Sequence, residues 1–488
     1  MNRLYMNIYQ YFRLLFGLLL FIACERPNNI QLLNEPPPIY PDYTGITIPC
    51  NIAPLNFLIR NQSQRIEVEL KGQFVRVRFM GKNKIQFSES KWKTFLQTEQ
   101  GNRVTVQVTA KIQGRWIKYQ PFEWIIAEDK IDSYLTYRLI EPGYEVWHKI
   151  RLCERNLENF SVRTFADNNL TEMNCMNCHI YGNQNSNLSF FHLRGNRGGT
   201  VLNRDGHLRK INTQANLMEK PATYGNLHPS GRYGVFSTNV VIPDFHTLAS
   251  KKLEVYDKAS DLLVLDFDNN RILQSPLVSG DDYLETFPVF SADGNCIYFC
   301  AASKKSLPDS IKNLKYSLCS IPFDIQTGQF GNHVDTLLYM DEDDQSVSFP
   351  KPSPDGRFLL YCISDYGTFP IWHRETDLQM MNLNSREIVD LQIVNSNYSD
   401  TYHSWSSNSR WFVFASKRDD GLYGKPYFCY VDPNGKAYKP FVLPQQDPYY
   451  YDYTLKSFNI PELATGKLPF SAADIERIYW KVSAEQFQ

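Results

Sequence analysis

The pentapeptide Cys175-Met176-Asn177-Cys178-His179 sets two thiols three positions apart and an imidazole directly after the second. In that pattern each sulfur can form a thioether to one vinyl group of a single porphyrin while the histidine ligates the iron; this is the attachment signature of haem c. The motif predicts one covalent haem c per chain, held by Cys175 and Cys178, with His179 as proximal ligand. The opposite axial position is open to Met173, Met176, His192, His228 or solvent. Met176 lies inside the motif and Met173 just ahead of it, both badly placed for the far face. The second ligand is assigned to His192, between Phe191 and Leu193, which would give a bis-histidine centre of low potential. The other reading of His192 is a hydrogen-bonded loop histidine. His228 and His403 each precede a turn and read as braces that bond backbone. Arg194 and Arg197 offer guanidinium groups to the propionates.

The same cysteines admit other chemistry. Zinc needs further ligands, and no second C-x-x-C or H-x-x-x-H closes a tetrahedral site. Thiol-disulfide exchange wants the pair at a helix N-terminus in a thioredoxin-like setting, which the flanking residues do not resemble. A plain structural disulfide remains geometrically open.

Thioether attachment is made outside the cytoplasm, so the haem reading requires export. Arg3 and Arg13 precede a short apolar run, Leu14 to Ile22, followed by Ala23 and Cys24. This is the layout of a signal peptide, and the run is too short for a permanent span, which takes about 20 apolar residues. Ala23-Cys24 resembles a bacterial lipobox, which implies lipidation at Cys24 and attachment to a membrane of the cell envelope, on the periplasmic side or the outer-membrane surface. Residues 1–23 are then the signal peptide and 24–45 a proline-rich tether carrying Pro36-Pro37-Pro38.

The remaining chain must position the motif. With 488 residues it exceeds one core, so two or three domains are expected. A net charge of -1 gives no sign of a nucleic-acid partner. Aromatics at 14% and the lack of long 3.6-period segments favour an all-β body. The remaining cysteines, several of them in apolar strand-like runs, allow at most one or two disulfides. Residues 46–128 alternate in period two, as in Arg65-Ile66-Glu67-Val68-Glu69-Leu70, and read as an antiparallel β-sandwich. Residues 129–215, holding the motif, read as a loop-rich haem segment with a short helix near 155–166. A haem there would borrow its apolar walls from neighbouring domains.

Residues 216–450 repeat. Phe287-Pro288-Val289-Phe290-Ser291-Ala292-Asp293-Gly294 returns as Phe349-Pro350-Lys351-Pro352-Ser353-Pro354-Asp355-Gly356, and more loosely around His228 and His403. Each phrase is a turn followed by a buried strand, and a second hairpin follows each. These S-x-D-G units resemble the WD-repeat-like units of TolB-type β-propellers, which implies a six-bladed propeller. Four units are visible; the resemblance implies that segments near 199–215 and after 445 supply the others, with 451–488 as a C-terminal tail. The whole order, lipobox, sandwich, C-x-x-C-H, propeller, also resembles TolB-like lipoproteins.

No G-x-S-x-G, H-E-x-x-H or phosphate loop is present, so neither hydrolase nor transferase chemistry is expected. Asp341-Glu342-Asp343-Asp344 reads as a solvated loop. The expected protein is an exported, lipid-anchored, mono-haem c-type propeller protein serving electron transfer or redox sensing with an envelope redox partner. The alternative is a haem-free propeller scaffold that binds protein or glycan at the cell envelope.

Overall fold

Period-two alternation becomes strands with one dry face. On Ser63–Lys71, Ile66, Val68 and Leu70 are buried while Arg65, Glu67 and Glu69 point outward. Arg103–Ile112 pairs antiparallel with it and buries Val104, Val106, Val108 and Ala110. The chain is described by a computed structural model covering residues 29–61, 63–141, 149–213, 222–246, 253–340 and 345–488. Cys24 with its preceding apolar run, residues 142–148 and the acidic run 341–344 lie outside the described residues.

The N-terminal unit is one seven-stranded sheet with a separate three-stranded sheet beside it. It differs from the expected all-antiparallel strands in two ways. Gln31–Leu32 and Ile46–Pro49 pair parallel to their neighbours, and Glu89–Thr98 is a helix. The helix follows from Trp92, Phe95 and Leu96, whose spacing of three and one puts three apolar side chains on one buried face. The Trp92 ring meets that of Trp124 at 5.8 Å, and its Nε1 donates to the Ile52 carbonyl.

Six further sheets of four or five strands follow along the chain. Their first strands are Met176–Gly182, Ala222–Leu227, Tyr283–Phe290, Ser346–Pro352, Asp400–Trp405 and, for the sheet that begins the series, Ser457–Ala464. Each of these strands packs beside the next, and the strand Ser457–Ala464 meets both Asp400–Trp405 and Met176–Gly182. The inner strands therefore close a ring, and the arrangement is propeller-like.

Several expectations are corrected here. The segment near 155–166 is a hairpin, Arg151–Asn156 and Val162–Asp167, instead of a helix. Asn156 and Asn159 accept the backbone N–H groups of Glu158 and Ser161, and these local bonds turn the chain where a helix would have continued. The motif segment is also not loop-rich: residues 176–211 form a complete four-stranded sheet. Residues 199–211 are the two outer strands of that sheet, so they do not make one of their own. Ser457–Ala464, expected within the tail, pairs with Tyr134–Ile140 and completes the first sheet. All nine described cysteines are unpaired.

The S-x-D-G turns behave as their residues require. Ser291 and Ser353 each donate to the aspartate two residues on, Asp293 and Asp355, at 2.6 Å. Gly294 and Gly356 take φ of 79° and 71°. In the unit that lost its glycine, Ser409 holds the same left-handed conformation at 59°.

Candidate functional site: a central cavity with two thiols

Each inner strand carries an irregularity at the same level. Register shifts fall between Asn177 and Ile180, Thr286 and Val289, Ser348 and Lys351, and Thr401 and Ser404, and the strand opposite Thr136–Arg138 has one as well. At these bulges Cys178, Phe287, Phe349, Tyr402 and Ile460 take positive φ between 49° and 54°. Bulky side chains rarely adopt that conformation, so its return in five sheets marks a built feature. The bulge turns each side chain into the channel. Tyr224 takes the remaining place, beside a shift between Ala222 and Tyr224. The residue after the bulge is Pro288, Pro350 or Pro461 in three sheets, where an unpaired ladder position tolerates the missing N–H. In the other two it is His403 and His179.

The six side chains form a collar. Ring centroids of Tyr224 and Phe287, Phe287 and Phe349, and Phe349 and Tyr402 lie 4.4, 4.4 and 5.1 Å apart. Ile460 and Cys178 complete it, so the second thiol of the motif occupies the seat that is aromatic in four of the six inner strands. The collar lines a cavity of about 610 Å³, to which Cys175 and Cys178 both contribute. That volume falls in the range of about 300–1,000 Å³ usual for cofactor and small-molecule sites.

Burial pushes both thiols above their ordinary range, and the charges of Arg138 and Arg194 only partly offset it. They are therefore protonated at neutral pH, which does not suit thiol-disulfide exchange. Among the described residues no three His, Cys, Asp or Glu side chains group as metal ligands, so the zinc reading gains no further donors.

His179 is 4% exposed and does not line the cavity. Its counterpart His403 does line it, bonding the Leu360 carbonyl at 3.0 Å and the Cys362 thiol at 3.7 Å. The His179 ring has no such partners: both nitrogens are buried without a hydrogen bond of normal geometry, although the carbonyls of Thr136 and Ile460 are near enough to favour its protonated form. Burial, with the positive charges of Arg138 and Lys351, holds its pKa down at about 3. The imidazole is neutral, the form that ligates metal.

Of the other expected residues, some converge and some do not. Arg194 and Met173 line the cavity, Met173 being 46% exposed. Met176 faces the opposite side and is fully buried in the core. His192 lies in Asn185–Leu193, paired across from Asn177, and is off the cavity. Its Nδ1 is 2.8 Å from Thr200 Oγ1, its ring packs on Phe190 and Phe236, and its Nε2 is unpartnered. His228 bonds the Gly294 carbonyl and Ser230, bracing a turn as expected. Arg197 stacks over Trp480, away from the cavity. Sequence reasoning missed Arg138 and Lys351, which bring positive charge to the wall. Lys351 follows the Phe349-Pro350 phrase and was legible by its place in the repeat.

No protein-family description matches this chain, and no curated protein matches it. Among solved structures it resembles an oligogalacturonate lyase in complex with manganese (TM-score 0.36, 11% identity, covering 63% of this chain and 73% of that one). It also resembles a periplasmic gluconolactonase of Pseudomonas aeruginosa (TM-score 0.36, 15% identity, 64% and 96%). A Bacteroides caccae protein of the DUF4784 family covers more of the chain (TM-score 0.34, 9% identity, 84% and 97%). Likenesses at this level decide nothing about the activity of the chain.

The donor chemistry of the cavity fits a haem c. Two thiols face one space, aromatic rings wall it and cations sit on the same wall, while the neutral imidazole that follows the second thiol lies just off that wall.

Proposed function

We propose that the six sheets are the blades of a six-bladed propeller whose central cavity holds one haem c, joined to the chain through Cys175 and Cys178. The observation that carries this reading is that both thiols of a C-x-x-C-H line the same 610 Å³ cavity. His179 is the iron ligand of this reading, supported by its neutral state and its place directly after Cys178; its ring is off the cavity wall and would have to turn inward to reach the iron. His192 is not supported as the second ligand, because it packs off the cavity; Met173, on the wall, is the better candidate. Haem would supply one-electron exchange. The collar would exclude water from its face, and Arg138 and Arg194 would offset the charge of its carboxylates. The polypeptide is read as exported, lipidated at Cys24 and anchored to an envelope membrane, where it passes electrons to a protein partner or senses redox state.

Expression with a c-haem maturation system, followed by denaturation and staining for peroxidase activity, tests this. Haem should stay on the polypeptide, and Cys175→Ala with Cys178→Ala should remove it. A chain from its native host with no covalent haem overturns the reading. The second reading is a haem-free scaffold that binds glycan or protein in the same cavity. Its support is the aromatic collar, since flat apolar sugar faces stack on such rings.

A further inference from the structure

A narrower chamber of about 240 Å³ adjoins the cavity, and Arg138, Cys175 and Tyr402 line both. Its wall is largely apolar, with Phe369, Ile371 and Trp372 from one short segment and Val241 from the strand Tyr233–Phe245. Lys417, just past the end of Trp411–Ser416, also lines it. Its Nζ is buried with no hydrogen-bond partner and sits 3.0 Å above the Trp372 ring centroid. Arg138 is the second unused cation: its Nε is buried and unpartnered, and the guanidinium makes no ion pair among the described residues.

The acids nearby are already engaged. Glu141 pairs with Lys456, and Glu462 with Lys351 and Ser404. The Arg138 guanidinium and the Lys417 amine thus face a largely apolar space in which Glu141, tied to Lys456 through one oxygen, is the one acid on the described wall, while Asp420, the acid that acts on Lys417, pairs with Lys425. A buried, unpaired charge is costly unless the group neutralises or finds a counter-ion. Burial pulls the Lys417 amine well below its ordinary range, against the opposing charge of Asp420. An incoming anion would favour its charged form and give the planar Arg138 fork an oxygen pair to bond. The apolar walls require that the anion be the end of an apolar body.

We propose that this chamber takes the carboxylate end of an apolar ligand, held by Arg138 and Lys417. The inference rests on the reading of the central cavity as a ligand site; under the haem reading the carboxylates are the propionates, and otherwise they belong to a free amphiphilic acid.

The test uses the full chain carrying Cys175→Ser and Cys178→Ser, which cannot form thioethers. It is titrated with protoporphyrin IX and its dimethyl ester, and separately with dodecanoate and methyl dodecanoate. The proposal expects each acid that binds to do so at least about tenfold tighter than its ester, and the preference to shrink in Arg138→Met and in Lys417→Met. An acid preference seen with dodecanoate while neither porphyrin binds supports the carboxylate site and overturns haem as its source. Equal binding of acid and ester in both pairs overturns the proposal, and so does a preference that survives both variants. Because the acid and ester comparison is made on the intact chamber, a variant that fails to fold does not remove the test.

Discussion

Asp257 lies on Leu253–Asp266 with one carboxylate oxygen bonded to Asn239, which lines the cavity, and the other buried without a partner. Burial raises its pKa to about 7, against which the Asn239 bond works only weakly. A folded-state pKa above the unfolded one gives stability that is complete below about 4 and is lost as pH rises through the folded value. The loss accrues at about 1.4 kcal/mol per pH unit. Asp257→Asn keeps the shape and can still accept from Asn239. Its stability gain over the parent should be near zero at pH 4, grow to about pH 7 and then level off, as read from urea unfolding at a series of pH values. A gain that is constant across pH would show that the carboxyl is solvated. The buried histidines act with the opposite sign. His179 and His403 are both held near 3 chiefly by burial, so each contributes stability above its unfolded pKa of about 6.5 that is lost as pH falls from there.

The bulge explains why a phenylalanine or tyrosine can sit where φ is positive. At 53° Phe349 has its ring against Phe287 and Tyr402 in the collar, and that packing outweighs the backbone cost. A β-branched residue pays more in that conformation and offers less area. Phe349→Val should therefore cost about 3–5 kcal/mol, and Phe349→Leu about 1–2 kcal/mol less than that, in equilibrium unfolding. Equal costs would mean that the bulge relaxes and is not held by the ring of sheets. The same element shows how much the sequence disclosed. The repeats were legible where Phe-Pro and S-x-D-G stand together, because the serine, aspartate and glycine each have a separate turn-forming task. Cys178-His179 holds the same place in its strand but was not legible as part of the repeat: the following turn is made by Asn183 and Gln184 at φ of 49° and 56°, without the S-x-D-G residues. The motif therefore read as loop. Arg138 and Lys417 left no local signal at all, since only ring closure brings their strands to one cavity.

That closure is the property of the whole molecule with the clearest consequence. The first sheet takes three strands from residues 134–167 and its inner strand from Ser457–Ala464, so the chain end locks the ring in register against Tyr134–Ile140. Beyond it, the helix Ala472–Lys481 buries Ile475, Ile478 and Tyr479 beneath the motif sheet, and Arg209 grips Glu485 through both carboxylate oxygens. The contributions differ in kind. The closing strand supplies ladder bonds to an otherwise bare edge and the Ile460 seat of the collar, whereas residues after 482 add one partly exposed ion pair, the Phe487 contact and backbone hydrogen bonds of Glu485 with Lys210 and Asn212 and of Gln488 with Asn270 and Ile272, all at outer strands away from the collar. A chain ending at Val482 should remain a folded monomer with a modest loss of stability, near-UV circular dichroism preserved. One ending at Lys456 loses the inner strand and the helix together. It should lose its near-UV signal and associate on a sizing column, because the uncovered edge of Tyr134–Ile140 and the apolar sides of two inner strands face water at once. A monomeric Lys456-ended chain that keeps its near-UV signal would mean that five sheets hold the channel without the sixth, and that Cys175 and Cys178 do not depend on ring closure for the cavity they face.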